Sequence, residues 1–332
     1  MSIFKSPKFW EDKESVWTKV LLPVSDVYSF FSRMKLNNTS SERVSIPVVC
    51  VGNVVLGGAG KTPTVELVCS ILKEFGYNPH ILTGGYGGYI KNVVKVDPSK
   101  HYYLQVGDEA LLSSMVSPTW IGRNRVNSAK AAILSGADIL VMDDGFQNNS
   151  LQKDFKILVI DSKQGIGNGH LFPAGPLRES VESAVMKSDI VFIVGEKNSG
   201  IEDIVRSINP NVSVCYGRTH VTDGIEQLKW EKVIGFCGLG YPEKFKCTIL
   251  DNGLQLEDFI AFSDHHPYTI TEIQKLIKAS KNTGAKLVTT RKDYIKIPDV
   301  FKNDINVIDI KMNALDDTLK EKLLSCVGKK SK

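Results

Sequence analysis

Apolar positions along the chain follow two periods that alternate. Residues 16–34 place Trp17, Val20, Leu21, Val24, Val27, Tyr28, Phe31 and Met34 at the i, i+3, i+4, i+7 spacing of an amphipathic helix, which Pro23 is expected to divide into two pieces. Near-continuous apolar runs follow at 46–52, 79–83, 138–143, 156–161 and 189–194, as expected of parallel strands covered on both faces. Helical spacing occupies 62–75, 107–116, 124–135 and 180–187. This alternation predicts an α/β fold on a parallel sheet.

A second block begins near Lys232. It holds expected strands at 232–238, 256–262, 285–290 and 305–310. Thr269-Ile-Thr-Glu272 is a capping box opening a helix with Ile273, Leu276 and Ile277 on its apolar face. Residues 211–231 alternate weakly and make the expected linker. The predicted division is therefore 1–210, with the amphipathic helix and the main α/β domain, then the linker, then 232–332 as a smaller α/β domain closing a cleft. A length of 332 residues, large for one hydrophobic core, favours two domains as well.

Composition narrows the function classes. An apolar fraction of 42% and a charged fraction of 23% are those of an ordinary soluble globular protein. A net charge of +4 forms no concentrated basic face, so nucleic acid is not an expected partner. The cysteines Cys50, Cys69, Cys215, Cys237, Cys247 and Cys326 are scattered without a C-x-x-C pair, which argues against zinc and disulfides and fits a reducing cytoplasm. No run of eighteen apolar residues exists, and the charged N-terminus lacks the apolar core of a secretory signal. The helix at 16–34 then has two readings. It docks on the protein's own core, or it lies in a membrane interface with Lys19, Arg33 and Lys35 near anionic headgroups. Seven basic against five acidic side chains over residues 1–43 would anchor only weakly by charge.

The chemistry concentrates after the first strand. Val48-Val49-Cys50-Val51-Gly52-Asn53 runs into Val54-Val55-Leu56-Gly57-Gly58-Ala59-Gly60-Lys61-Thr62, a buried strand, a glycine-rich turn and a helix start. Such a loop turns backbone N–H groups onto phosphate oxygens, with the helix N-terminus adding positive potential. Lys61 is expected on the β- and γ-phosphates of ATP, and the Thr62 hydroxyl on Mg²⁺. Gly57, Gly58, Ala59 and Gly60 complete the cradle; Val55 stands where the strict motif has glycine.

Asp138-Ile-Leu-Val-Met-Asp143-Asp144-Gly145-Phe146-Gln147 is an apolar strand ending in two carboxylates that would divide metal and substrate duties. Gly107-Asp108-Glu109 opens a helix. Its acids complement the helix dipole, or Asp108 serves as the base that a hydroxyl acceptor needs. Asp264-His265-His266 ends a strand of the second block without a third ligand at metal spacing.

Together these segments resemble the tetraacyldisaccharide 4′-kinase family over most of the chain. The carriers are Val51-Gly52-Asn53 with Gly57 to Pro63, Gly85-Tyr86-Gly87, Gly107-Asp108-Glu109, Met142 to Gln147, Gly167 to Glu179, Asp264-His265 and Lys292-Asp293. The resemblance implies transfer of the γ-phosphoryl group of ATP to the 4′-hydroxyl of an acylated glucosamine disaccharide 1-phosphate, in lipid A biosynthesis. It implies a peripheral enzyme on the cytoplasmic face of the inner membrane, which favours the anchor reading of the first helix; a monomer is the expected state. It also implies that Asp108, supported by His265, forms a catalytic dyad alongside Lys61, and that Glu109, Arg125, Gln147 and Glu179 line the cleft. The fold implied is a P-loop NTPase-like domain with a smaller C-terminal α/β domain. One departure is Gly84, where the family has Arg before Gly-Tyr-Gly.

Two other classes compete. A P-loop GTPase or metallochaperone-type switch would need a guanine-reading segment, and Thr290-Arg291-Lys292-Asp293 is out of register for one. A membrane-binding module that had lost its chemistry would not be expected to keep Lys61, Thr62, Asp108, Asp143 and Asp144 together.

Overall fold

The computed structural model describes residues 7–37, 40–197, 200–222 and 225–328. In chain order its strands are β1 (Val48–Gly52), β2 (Pro79–Thr83), β3 (Val94–Lys95), β4 (Thr119–Ile121), β5 (Ile139–Asp143), β6 (Phe155–Asp161) and β7 (Ile190–Val194). They continue as β8 (Ser213–Val221), β9 (Lys232–Cys237), β10 (Gln255–Ala261), β11 (Lys286–Thr290), β12 (Ile305–Ile308) and β13 (Ile310–Ala314). The helices are α1 (Val16–Asn37), α2 (Lys61–Glu74), α3 (Tyr103–Val106), α4 (Asp108–Val116), α5 (Arg125–Leu134) and α6 (Val181–Met186). After them come α7 (Ile201–Ile208), α8 (Pro242–Asp251), α9 (Ile270–Thr283), α10 (Arg291–Tyr294) and α11 (Thr318–Val327). The chain forms two compact units, Ser6–Thr219 with Met312–Lys332, and His220–Lys311.

The larger unit is a sheet in the order β13-β8-β7-β6-β1-β5-β2-β4-β3. From β8 to β4 neighbours run parallel, so the ends of β1, β2, β5 and β6 share one edge. Strand alternation divides the core into two layers. Val49, Val51, Ile139, Val141, Ile157 and Val159 pack under α2 and α11, whereas Cys50, Leu140, Met142, Leu158 and Ile160 pack under α5, α6 and α7. Burial on both faces explains the uninterrupted apolar runs of the sequence.

Helix α1 docks the wrong way round for an ordinary core helix. Among its described residues the buried side chains are Thr18 and Ser25, 1% and 3% exposed. Ser25 Oγ donates to Leu171 O at 2.9 Å and accepts from Ala174 N at 3.0 Å, and Asn168 Nδ2 donates to Thr18 Oγ1 at 3.2 Å. Val16, Trp17, Val20, Val24, Val27, Phe30, Phe31 and Met34 remain exposed. The helix is continuous rather than divided at Pro23. The proline removes one backbone hydrogen bond, and docking on either side of it, at Thr18 and Ser25, holds the helix as one piece.

The smaller unit is a parallel sheet, β10-β9-β11-β12, with apolar layers on both faces. Thr269 and Glu272 form the expected capping box at the start of α9.

The expected boundaries at 211–231 and 232–332 need correction. Residues 213–221 are β8, a strand of the large sheet, whose partly exposed burial pattern made it read as a linker. The second block ends at Lys311, because Met312, Leu319 and Leu323 are buried in the large sheet's core. Strand β13 lies beside β8: Leu315 N donates to Tyr216 O and Thr222 N to Asp309 O, the register of an antiparallel pair.

Candidate active site

The phosphate-type loop leaves β1 at Gly52, where a Cβ would lie 2.7 Å from Phe146. Buried Asn53 bridges the loop: its Nδ2 donates to Val55 O at 2.7 Å and its Oδ1 accepts from Lys61 Nζ at 3.1 Å. Leu56 N donates to Pro176 O at 2.8 Å and Arg178 N to Val54 O at 2.7 Å, so segment 176–178 forms one wall. Gly60 caps α2 at φ +84 with no side-chain cap. That leaves the first-turn amides at the mouth of the loop for an anion.

Opposite this loop stand the two carboxylates. Val51 on β1 is in register with Asp143 on β5. Lys61 Nζ lies 3.7 Å from Asp144 Oδ1, and Arg178 Nη1 reaches both Asp144 oxygens at 2.8 and 2.9 Å. Asp144 turns there with φ +55. Burial alone would raise its pKa, but Lys61 and Arg178 outweigh it and the net shift is downward. Burial pushes Asp143 up to about 7, reinforced by the charges of Glu109 and Asp144 and opposed by Lys61 and Arg125. Neighbouring acids driven apart in this way are a recurrent feature of acid–base and metal-holding sites.

The other candidate residues of the larger unit gather around the same sheet edge. Asp108, 3% exposed, starts α4 and accepts from Glu109 N at 2.9 Å. Gly107 before it has φ +92, and a Cβ there would lie 2.2 Å from Tyr86 O, so the Gly-Tyr-Gly turn packs directly on the helix start. Arg125 is buried while Arg123 is exposed. Its Nη1 donates to Thr83 O at 2.7 Å and Gly122 O at 2.5 Å. Its Nη2 lies 3.0 Å from where a Cβ of residue 84 would be, so the guanidinium occupies space that Gly84 leaves. Gln147 Nε2 donates to Asn53 O at 3.0 Å and to Glu179 at 2.9 Å, and Lys187 pairs with Glu179 at 2.5 Å. Gln147 and Glu179 thereby tie the loop to the wall. His265 belongs to the smaller unit, in the turn after β10. Sequence reasoning gave no role to Arg178, Asn53 or Lys187. Arg178 was visible only as the neighbour of Glu179 in the quoted Gly167-to-Glu179 segment.

Comparison with known proteins decides the family. The model of the tetraacyldisaccharide-1-P 4′-kinase family matches residues 17–328. The chain belongs to that family. The tetraacyldisaccharide 4′-kinase of Gluconobacter oxydans (strain 621H) is 38% identical over 322 residues, covering 96% of this chain and 97% of its own. That of Rhodopseudomonas palustris (strain ATCC BAA-98 / CGA009) is 38% identical over 295 residues, with 88% and 86% covered. The crystal structure of the Aquifex aeolicus family member, described as an "apo" form in complex with ATP, superposes with TM-score 0.74 at 22% identity. It covers 94% of this chain and 99% of that one, and shows a shared fold.

A tetraacyldisaccharide 4′-kinase is a phosphotransferase with an alcohol acceptor, and lipid A biosynthesis is its pathway. A GTPase or metallochaperone-type switch is not supported by this family. Lys61 and Arg178 beside Asp144, with the helix start at Gly60 left without a side-chain cap, form a set of donors and acidic oxygens that suits a nucleoside triphosphate and a divalent cation.

Proposed function

We propose that the larger unit binds ATP in the loop Gly57–Thr62 and passes its γ-phosphoryl group to the 4′-hydroxyl of tetraacyldisaccharide 1-phosphate. The observation that carries this is the 3.7 Å approach of Lys61 to Asp144 across two adjacent strand ends. Thr62, Asp143 and Asp144 would hold Mg²⁺, which when bound supplies charge neutralisation of the phosphates. Lys61 stabilises charge that grows on the transferred group. Asp108 takes the hydroxyl proton as the oxygen–phosphorus bond forms and the bond to ADP breaks; His265 supports Asp108. Glu109, Arg125, Gln147 and Glu179 position these groups, the last two through the hydrogen bonds that brace the loop.

The enzyme works as a monomer at the cytoplasmic face of the inner membrane, with α1 lying in the interface. Support comes from its exposed apolar stripe together with the docking of its polar face. Among the described residues, no helix is long and apolar enough to cross a membrane. The side chains of Arg33 and Lys35 lie outside the described residues.

The deciding experiment incubates the protein with γ-labelled ATP and the acylated disaccharide monophosphate, then analyses the lipid by mass and fragmentation. One added phosphate on the 4′ oxygen is expected; ATP hydrolysis without lipid product would sink the reading. Asp108→Ala and His265→Ala, alone and combined, test the dyad. The double variant is expected to lose little more than Asp108→Ala, and full additivity would separate the two residues.

A further inference from the structure

Asn53 is the first residue past β1 and is 0% exposed, a place where an amide without partners would be costly. The segment after the acid pair fixes its backbone. A Cβ on Gly52 would lie 2.7 Å from the Phe146 ring, so the ring packs on the bare glycine, and Gln147 Nε2 donates to Asn53 O at 3.0 Å. The side chain of Asn53 is therefore presented from a held stem.

The donor inventory fixes how that side chain is turned. Val55 O can only accept, so the atom 2.7 Å from it is the amide Nδ2. The Lys61 ammonium can only donate, so the atom 3.1 Å from Nζ is the carbonyl Oδ1. Aspartate at 53 would set an oxygen against Val55 O, and leucine would satisfy neither neighbour. Val55 stands where the strict motif has glycine. It is 3% exposed and forms an antiparallel bridge with Leu177. One short side chain thus ties the departure from the motif to the motif's lysine.

Lys61 gains from a neutral partner. A long, flexible stem leaves an unheld ammonium many positions. Asp144 Oδ1, at 3.7 Å, attracts it by charge. The Asn53 carbonyl orients it at hydrogen-bond distance without cancelling its charge, which stays available to phosphate oxygens.

We propose that Asn53 is a positioning residue for phosphoryl transfer: its side-chain carbonyl holds the Lys61 ammonium ready for the phosphates, while its amide group pins Val55 in the loop. The inference rests on the reading of Gly57–Thr62 as the ATP loop and of Lys61 as the cation on the transferred group.

The test is a double-mutant cycle of Asn53→Leu with Lys61→Ala in the full-length protein. It is read as the Kd for Mg²⁺-ATP by calorimetry and as kcat with the acylated disaccharide. With Lys61 present, Asn53→Leu should lower kcat by roughly 10- to 100-fold and raise Kd by about threefold or more. In the Lys61→Ala background both effects should fall below about twofold, because the group through which Asn53 acts is gone. Equal losses in both backgrounds would make Asn53 a support of the fold alone and overturn the proposal, as would unchanged kcat and Kd with Lys61 present. Asn53→Asp keeps the size of the side chain and covers a leucine variant that fails to fold. Its carboxylate should compete with phosphate for the ammonium and weaken Mg²⁺-ATP binding by about fivefold or more, only while Lys61 is present. Unchanged binding, or the same loss without Lys61, would again overturn the proposal. A wild type that binds Mg²⁺-ATP yet leaves the disaccharide unphosphorylated would count against the kinase reading alone, and the Kd cycle would still decide the role of Asn53.

Discussion

Asp143 and Asp144 are chain neighbours whose surroundings treat them oppositely. Burial and the charges of Glu109 and Asp144 raise Asp143 to about 7, while Lys61 and Arg178 hold Asp144 below its ordinary value. The unfolded chain returns Asp143 to its ordinary 3.8. The native state therefore binds the extra proton between those limits, and the stability this gives is lost as pH rises through about 7. Asp143→Asn, measured in EDTA by urea unfolding, should be more stable than wild type at pH 8 by on the order of 1 kcal/mol. The gain should shrink towards pH 5, and a gain that does not vary with pH would contradict the burial argument. Lys61→Ala should lower turnover by on the order of 10²-fold or more in the disaccharide assay. Lys61, Thr62 and the acid pair were legible in the sequence because strand–loop–helix and strand–acid patterns are local. Arg178 was not, since nothing local says that it closes on an aspartate 34 residues earlier. Gly84 read as a missing cation; the neighbouring guanidinium of Arg125 became visible only in three dimensions.

At the scale of the element, α1 shows what periodicity can and cannot say. Its spacing marked a helix and an apolar stripe, but not which side would dock. Thr18 and Ser25 settle that, because their hydroxyls bond to the 168–174 segment, whereas Phe30 and Phe31 are 61% and 63% exposed. Replacing both phenylalanines with serine should weaken flotation with anionic lipid vesicles by about tenfold or more and leave the unfolding midpoint nearly unchanged. Unaltered flotation would remove the stripe from membrane binding. Ordinary elements were easier to read. Strands β1, β2, β5 and β7 are buried at every position and appear as plain apolar runs, whereas the two-residue β3 lies below the reach of any periodic signal.

For the whole molecule, the decisive fact is that the chain leaves the large sheet after β8 and returns to it at β13. No composition shift announces the return, because the partners of residues 312–328 lie far back in the sequence. Met312, Leu319 and Leu323 fill the same core layer as the strand carrying the phosphate loop. A chain ending at Lys311 should lose several kcal/mol from those cavities, and thermal melting should show no cooperative transition for the larger unit. A normal transition would mean that the C-terminal helix is dispensable. Topologically, residues 223–308 are the tip of one very long hairpin, its stems joined where Thr222 meets Asp309 at 3.0 Å. During synthesis, then, the nucleotide-holding sheet waits with an open, unpaired margin at β8 until β13 has been made. That interval of vulnerability to aggregation ends sooner if the hairpin's tip folds first and brings the stems together.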